Sequence, residues 1–357
     1  MKSVFQVNTV YQLFITINMR LHNIPTGEVD LVVTDHTPSL ATYIDGLKES
    51  HLFSKIYYVK SLEFNRWFWG QNNDNKDKIF YEAEKALGRV FSEPKIDYSK
   101  YQFIYLANLD AYSKFVYRVY PNLQIRLIED GASVCTNDWK RACERWNYIE
   151  GFNKVYDDVD KLYLYTPELM FVNLGYEMEK LPKVPQNDVE IIKLYNKIFS
   201  YDVSFKFPKF VFLEEPFAAD NIKNNDLELM AMISQNVGYE NFFIKTHPRN
   251  IENRSKKLGL GIQKETPWPF ELMLMNNMNE DVTYITIDSG ALISTRAIFE
   301  KDIKTMFLYK IVKGDTRNIA KQEFIQYMDK FCDIYKSKNL FVPYSEYEME
   351  KMLLCLK

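Results

Sequence analysis

Two adjacent acids followed by a glycine, Glu129, Asp130 and Gly131, come directly after the apolar run 125–128. Neighbouring carboxylates raise each other's pKa by like-charge repulsion, which would leave one of them able to act as a general base. The glycine allows an unusual backbone angle at this point. The alternative is a solvated turn, because Asp-Gly is a common turn pair.

A histidine between two cations, in the segment Lys245-Thr246-His247-Pro248-Arg249, follows another apolar run. An imidazole beside Lys and Arg can hydrogen-bond a phosphate, and its ordinary pKa of about 6.5 lets it give up a proton near neutral pH. Of the four histidines in the chain, this one alone is flanked by a predicted strand end, two cations and a proline. The alternative is a loop histidine that only caps the backbone.

A serine and a glycine, Ser289 and Gly290, stand between the predicted strand 283–287 and the predicted helix 291–299. A hydroxyl and unpaired backbone N–H groups at a helix N-terminus suit an anion, and the helix dipole favours it further. An ordinary N-cap explains the same residues, since Ser is a usual capping residue.

An early helical glutamate, Glu271, follows the stiff segment Pro267-Trp268-Pro269. Its carboxylate could accept hydrogen bonds from a sugar diol. Complementation of the helix dipole explains a glutamate in the first turn equally well.

The elements that position these residues alternate between short β-rich runs and longer amphipathic stretches, which is typical of a parallel sheet covered by helices. In the first half, the predicted strands are 4–7, 31–33, 55–59, 103–106 and 125–128, and the predicted helices are 11–21, 77–91 and 110–118. In the second half, the predicted strands are 210–213, 241–245, 261–262, 283–287 and 305–308, and the predicted helices are 226–236, 270–278 and 291–299. Ligands bind beyond the carboxyl ends of strands in open α/β sheets, so the polar residues there have priority.

The length of 357 residues, about twice that of a usual domain, favours two α/β domains in tandem. Pro182, Pro185 and Pro208 surround an amphipathic stretch at 189–199, which indicates a connector. The predicted domains are residues 1–185 and 186–330. Residues 331–357 are predicted as closing helices, the last of which could pack back on the first domain.

The composition limits the classes of function. A hydrophobic content of 46% with 26% charged residues is typical of a globular chain and excludes disorder as the main state. The net charge of -3 disfavours binding to duplex nucleic acid. With 12 glycines, about half the average usage, glycine-rich phosphate loops should be rare. The four cysteines have no paired spacing, which fits a reducing cytoplasm.

Taken together, these residues resemble the bacterial sialyltransferases of glycosyltransferase family 52, which act on lipooligosaccharide and capsule, with families 38 and 80 as more distant relatives. The resemblance rests on the acidic pair with its glycine, on Lys-x-His-Pro at 245–248, on Pro-Phe-Glu at 269–271 and on the serine turn at 289. The opening Thr9-Val10-Tyr11-Gln12-Leu13 is similar to the Thr-Pro-Tyr-Gln-Leu usual in that family. The motifs occur in family order over nearly the whole chain.

The resemblance implies an α/β protein of GT-B architecture, with two Rossmann-like domains whose parallel sheets face a central cleft. The first domain would bind the acceptor and the second would bind the CMP-sugar. The implied reaction is an inverting transfer of sialic acid from CMP-sialic acid to a terminal sugar hydroxyl of a bacterial surface glycan.

The roles that the resemblance implies divide between the two domains. Asp130, with Glu129 beside it, would deprotonate the acceptor hydroxyl, and His247 would bind the phosphate and protonate or stabilise it as CMP leaves. The residues assigned to CMP are Lys245, Pro248, Glu271 for the ribose hydroxyls, and Ser289 with Gly290 for the phosphate. The residues assigned to the acceptor side are Thr9, Tyr11 and Gln12.

The chain departs from the family pattern at several positions. Val10 replaces the usual proline, and Ser289-Gly290 stands where the family has two hydroxyl residues. The base assignment stays open, since the loop 214–220 leaves the first strand of the second domain, and Asp220 is the reserve base. Other readings are a GT-B transferase that uses another nucleotide sugar, and a non-catalytic glycan- or nucleotide-binding module.

No metal and no other cofactor is expected, because a His, a Lys and a helix N-terminus would serve a monophosphate without one. The expected partners are the nucleotide-sugar donor and the glycan acceptor. The resemblance is compatible with a homodimer, and the expected location is cytoplasmic, with peripheral contact with the inner membrane compatible as well.

Overall fold

The computed structural model describes residues 2–90, 92–131, 133–136, 144–247, 249–264, 266–278, 281–316 and 322–357. The chain divides into two compact units. The first comprises Met1–Val184 and Val189–Tyr201, and the second comprises Pro185–Asp188 and Asp202–Lys357. Both contain a sheet built from parallel strands that alternate with helices, which confirms the predicted α/β class.

The sheet of the first unit has eight strands. In chain order they are β1 Lys2–Val7, β2 Glu28–Thr34, β3 Ile56–Val59, β4 Ser92–Glu93, β5 Phe103–Leu106, β6 Gln124–Ile128, β7 Val159–Leu164 and β8 Glu177–Lys180. Their order across the sheet is β4-β3-β2-β1-β5-β6-β7-β8, and only the β3–β4 pair is antiparallel. The strand order reverses at β1, so the topological switch point lies between β1 and β5.

The helices of the first unit flank this sheet. They are α1 Val10–Leu21, α2 Ile44–Ser50, α3 Ser61–Trp69, α4 Asn73–Tyr81, α5 Ala83–Leu87, α6 Ala111–Val119, α7 Ser133–Thr136 and α8 Val189–Ile198. Short 3₁₀ turns occur at Pro38–Tyr43, Tyr98–Lys100, Glu144–Trp146, Lys154–Tyr156 and Pro167–Leu169. The stretch 77–91, predicted as one helix, holds the end of α4 and all of α5, with a break at Glu82.

Helix α8 belongs to the first unit, although the sequence predicted this stretch as part of a connector beyond residue 185. Its apolar face carries the buried residues Tyr195 and Ile198. The Tyr195 hydroxyl donates to the Phe14 carbonyl at 3.1 Å, and the two rings lie 4.6 Å apart between centroids. Gly46 of α2 permits close approach, because an added Cβ would lie 2.8 Å from backbone atoms of Ile198. An amphipathic helix must bury its apolar face, and this one does so on α1 and α2.

The second unit has a five-stranded sheet, parallel throughout. Its strands are β9 Phe210–Leu213, β10 Phe242–Lys245, β11 Thr283–Thr286, β12 Lys304–Phe307 and β13 Leu340–Phe341, in the order β10-β9-β11-β12-β13. Its helices are α9 Asp226–Val237, α10 Arg254–Lys257, α11 Phe270–Asn277, α12 Gly290–Ile298, α13 Gln322–Ile334 and α14 Glu346–Leu356, with a 3₁₀ turn at Tyr239–Asn241. The switch point lies between β9 and β11.

The last helix, α14, belongs to the second unit. Met349 and Leu353 on its apolar face are fully buried in the core of that unit, together with Leu229 and Ile233 of α9. The closing helix therefore completes the core of the second unit. Within the described ranges, no helix is long and apolar enough to cross a membrane.

Candidate active site

The acidic pair of the first unit lies directly beyond β6, where the sequence placed it. The Glu129 side chain is buried, with 7% of the residue exposed. Its Oε2 accepts the Tyr165 N–H at 2.9 Å, and its Oε1 accepts the Tyr11 hydroxyl at 3.5 Å. Burial raises the pKa of Glu129 to about 7, and the charge of Asp130 adds less. Desolvation, rather than the repulsion expected from sequence, is the main cause.

Asp130 is held from the first helix. Gln12 Nε2 donates to Asp130 Oδ1 at 3.1 Å, and burial raises the pKa of Asp130 although this hydrogen bond opposes the rise. Thr9 caps α1 by accepting the Gln12 N–H at 3.2 Å. Gly131 has a φ of 72°, a left-handed value that glycine adopts without strain. Tyr11 and Gln12, predicted on the acceptor side, thus contact the two acids, and Thr9 fixes the start of the helix that carries them.

His247 follows β10 in the second unit and is a neutral hydrogen-bond donor. Its backbone N–H donates to Glu214 Oε2 at 3.2 Å, and its Nδ1 accepts the Arg249 N–H at 3.2 Å. The proton of the neutral ring is therefore on Nε2. Burial and then the Arg249 charge lower the pKa of His247 to about 4, against the opposing charge of Asp220. The near-neutral pKa expected from sequence does not hold for the ligand-free protein.

Lys245, which is partly buried, and Glu271, which is buried, influence each other electrostatically. The Lys245 ammonium donates to Thr266 Oγ1 at 3.1 Å, and burial lowers its pKa to about 8 while Glu271 raises it. Burial raises the pKa of Glu271 to about 7, and Lys245 opposes the rise. The pKa values of both groups therefore lie near neutral pH. Pro248, predicted with them, lies outside the described residues.

The turn between β11 and α12 holds Ser289 at the N-cap without a side-chain capping bond, so the ordinary N-cap alternative does not describe it. The Ser289 N–H donates to Thr286 Oγ1 at 3.2 Å. A Cβ added to Gly290 would meet no atom within 4 Å, so the first residue of the helix borders open space. The first N–H groups of a helix, with the helix dipole, favour an anion.

Glu215, a carboxyl at the switch point of the second unit, was given no role at the sequence level. Glu215 follows β9 and accepts the Thr286 hydroxyl at 3.2 Å. Burial and then the charge of Asp288 raise the pKa of Glu215 well above its ordinary value, although hydrogen bonds from Thr286 and Ser289 oppose the rise. Burial favours the protonated form of Glu215, which can donate a hydrogen bond. A signal was present in the sequence, because Glu215 lies two residues after the predicted strand 210–213.

The reserve base, Asp220, is engaged by a cation. Arg249 binds it through both terminal nitrogens, at 2.9 and 3.2 Å, and only 9% of the Asp220 side chain is exposed. A carboxylate held by a guanidinium fork serves to position that cation. Among the described residues, no group of three or more His, Cys, Asp or Glu is placed to hold a metal ion.

No protein-family model and no curated protein matches the sequence. Solved structures match its fold. UDP-GlcNAc 2-epimerase from Methanocaldococcus jannaschii aligns over 100% of this chain and 91% of its own, with a TM-score of 0.51 and 11% identity. Phytolacca americana UGT2, complexed with UDP-2fluoro-glucose and pterostilbene, aligns over 99% and 89%, with a TM-score of 0.50 and 8% identity. The glycotransferase of kitacinnamycin aligns over 99% and 90%, with a TM-score of 0.50 and 7% identity.

Identities this low establish the fold and nothing more. The chain has the GT-B fold, with two Rossmann-like units that each carry a parallel sheet. The fold class predicted from the sequence is confirmed.

Proposed function

We propose that this chain is a nucleotide-sugar-dependent glycosyltransferase that moves sialic acid from CMP-sialic acid to a terminal sugar hydroxyl of a bacterial surface glycan. One observation carries the proposal. A neutral imidazole donor, a partly buried lysine and the N-terminus of α12 follow strands of the second sheet, and the buried Glu129 with its neighbour Asp130 follows a strand of the first. A transfer from a nucleoside monophosphate needs these two sets of groups.

The first unit supplies the base in this proposal. The acceptor oxygen attacks the anomeric carbon of sialic acid, Asp130 takes the hydroxyl proton, and the configuration at that carbon inverts. A raised pKa suits Asp130 to this task, because a base works best when its pKa approaches the working pH. Glu129, which accepts the Tyr165 N–H, is a second carboxyl beside Asp130, and burial raises its pKa to about 7.

The second unit supplies the leaving-group site. As the bond from the anomeric carbon to the phosphate oxygen breaks, both electrons stay on the phosphate of CMP. His247 donates its Nε2 proton in a hydrogen bond to this oxygen, and Lys245 becomes fully charged beside it. The N-terminus of α12 adds its dipole, with Ser289 at the cap. Glu271 takes the ribose hydroxyls, and the mechanism uses no metal.

A UDP-sugar activity is the second candidate function. It is favoured by solved structures of the same fold, which include a UDP-GlcNAc 2-epimerase and a complex with UDP-2fluoro-glucose. The nucleotide is what separates the two candidates, since a uracil presents a carbonyl where cytosine presents an amino group.

The experiment that tests the proposal compares CMP, UDP and GDP as ligands in a thermal-shift titration. We expect CMP to raise the melting temperature at micromolar to millimolar concentrations and UDP and GDP to do so less. Stabilisation by UDP alone would replace the sialyltransferase proposal by the second candidate. Stabilisation by CMP without any turnover of CMP-sialic acid would indicate a binding module.

A further inference from the structure

The switch point of the first sheet carries a polar cluster that the proposed mechanism does not use. His36 follows β2, and its Nε2 lies 3.3 Å from Oδ2 of Asp110, which follows β5. The Asn65 amide lies against both groups, 2.8 Å from Asp110 Oδ2 and 3.1 Å from His36 Nε2. Two other segments of the chain, those of Asn65 and Asp110, thus converge on His36.

Asp110 is fixed as an ionised acceptor. It caps α6, and its Oδ1 accepts both the N–H and the hydroxyl of Ser113, at 2.8 and 2.6 Å. The Ser113 oxygen in turn accepts Gln6 Nε2 at 3.0 Å, which fixes the direction of the hydroxyl proton toward Asp110. Burial raises the pKa of Asp110, but the hydrogen bonds from His36, Ser113 and Asn65 outweigh it, so the pKa is below its ordinary value.

The surrounding groups determine the tautomer of His36. Asn65 Oδ1 accepts the Tyr112 N–H at 2.9 Å, so its amide nitrogen must face Asp110 and His36. An ionised carboxylate only accepts, and it therefore favours a proton on His36 Nε2. The Nδ1 atom is then an acceptor, and it has no hydrogen-bond partner among the described residues. The His36 side chain is 26% exposed.

His36 lies at a place in the fold where open α/β sheets bind ligands. His36 and Asp110 lie on either side of the loop that follows β1, at the reversal of strand order where open α/β sheets bind ligands. That loop joins the two: the Thr37 hydroxyl donates to the Asn8 carbonyl at 2.9 Å, and Asn8 Nδ2 donates to Asn108 Oδ1 at 2.8 Å.

The same loop reaches the acidic pair. The Asn8 N–H donates to Gln12 Oε1 at 2.7 Å, and Gln12 Nε2 donates to Asp130. One hydrogen-bonded edge of the first sheet therefore carries both the proposed base and His36. A ligand at His36 must donate a hydrogen bond, and the ionised Asp110 disfavours an anion there. A neutral polyol meets both requirements.

We propose that His36 is an acceptor-binding residue, whose Nδ1 accepts a hydrogen bond from a hydroxyl of the acceptor sugar, and that Asp110 is its positioning residue. The proposal rests on the proposed function for the identity of the ligand as a glycan. It adds a subsite for the acceptor sugar to the unit that carries the proposed base and the acceptor-side residues Thr9, Tyr11 and Gln12.

The test reads the histidine rings directly. The chain has four histidines, so a long-range proton–nitrogen spectrum holds four ring systems, and His36→Gln identifies that of His36. We expect a proton on Nε2 of His36 and a shift of its Nδ1 resonance when galactose, N-acetylglucosamine or lactose is added. His36→Asn, which keeps a polar atom near the Nδ1 position, should bind the sugar more tightly than His36→Gln.

Two further variants separate positioning from folding. Asp110→Asn should remove the preference for the Nε2 proton and weaken sugar binding about tenfold, whereas His51→Asn, at the exposed end of α2, should bind like the parent. A proton on Nδ1, or no response of His36 to any of the three sugars, would overturn the proposal. CMP binding in the same samples tests the proposed function separately, since it involves the second unit.

Discussion

At the scale of single residues, His247 is the group whose chemistry changed most between sequence and structure. A pKa of about 4 makes it a neutral Nε2 donor, because Arg249 occupies Nδ1 and burial disfavours the cation. A phosphate oxygen near Nε2 would raise this pKa, since it adds the negative charge that the site lacks.

Replacement of His247 should therefore weaken binding of the phosphate of CMP and leave binding of the nucleoside unchanged. We expect His247→Ala to weaken CMP binding about tenfold, by loss of one hydrogen bond to a charged group. His247→Gln, which keeps a donor near the Nε2 position, should lose less. Calorimetry measures the affinity of each variant for CMP and for cytidine. An equal loss of affinity for cytidine would contradict a role of His247 in binding the phosphate.

The buried Glu129 predicts a pH dependence of stability. Its pKa rises from 4.5 to about 7 on folding, so the protonated form is favoured in the folded state. The stabilisation is complete below pH 4.5 and is lost as the pH rises through 7, by on the order of 3 kcal/mol. Glu129→Gln keeps an acceptor for the Tyr165 N–H but cannot ionise, so its stability should fall less between pH 5 and 8.

Urea denaturation at several pH values checks this prediction. The matched control is Glu63→Gln, on the exposed surface of α3, whose curve should follow that of the parent. Parallel curves for the parent and Glu129→Gln would show that Glu129 ionises normally in the folded protein.

Sequence patterns predicted the positions of the site residues better than their protonation states. The acidic pair, His247 and Ser289 all follow strands as predicted, because a short apolar run before a polar segment marks a strand end. Their pKa values could not be predicted, since these depend on burial by residues distant in sequence. His36 was passed over for the same reason: its partner Asp110 is 74 positions away in the chain and only the fold brings the two together.

At the scale of elements, the N-terminus of α12 leads to a prediction about the effect of an added side chain at Gly290. A Cβ at Gly290 would meet no protein atom within 4 Å, so Gly290→Ala should fold as stably as the parent. If the phosphate of CMP lies before this helix end, the added methyl occupies the ligand's space and CMP binding should weaken several-fold. The melting temperature and a CMP titration measure the two effects.

Gly261 provides the contrasting control. A Cβ there would lie 2.8 Å from the Phe242 carbonyl oxygen, so Gly261→Ala should destabilise the protein by about 1–3 kcal/mol through strain. Unchanged CMP affinity in Gly290→Ala would place the phosphate elsewhere.

Strand β8, which the sequence did not predict, lies at one edge of the first sheet, and its Glu177 and Glu179 pair with Lys161 of β7. Charged side chains suit an edge that solvent reaches, and they leave β8 without the apolar run on which strand prediction depends. Segment 261–262, predicted as a strand, forms only an isolated bridge between Ile262 and Phe243.

At the scale of the whole molecule, each of the two parallel sheets carries polar residues beyond the carboxyl ends of its strands. The first holds carboxyls and His36, and the second holds the imidazole, the lysine and the helix end. The two-unit α/β architecture was predictable from alternating patterns. The boundary between the units was harder to predict. Helix α8 belongs to the first unit because of tertiary packing, which a local proline pattern does not reveal.

The central claim is tested most directly by incubating the protein with CMP-sialic acid and lactose and analysing the products by mass spectrometry. The account predicts sialylated lactose and free CMP, with kcat lowered about 10²–10⁴-fold in Asp130→Asn while CMP still binds. An Asp220→Asn variant should retain far more turnover than Asp130→Asn. Neither transfer nor hydrolysis of CMP-sialic acid, with no stabilisation by CMP, would contradict the account.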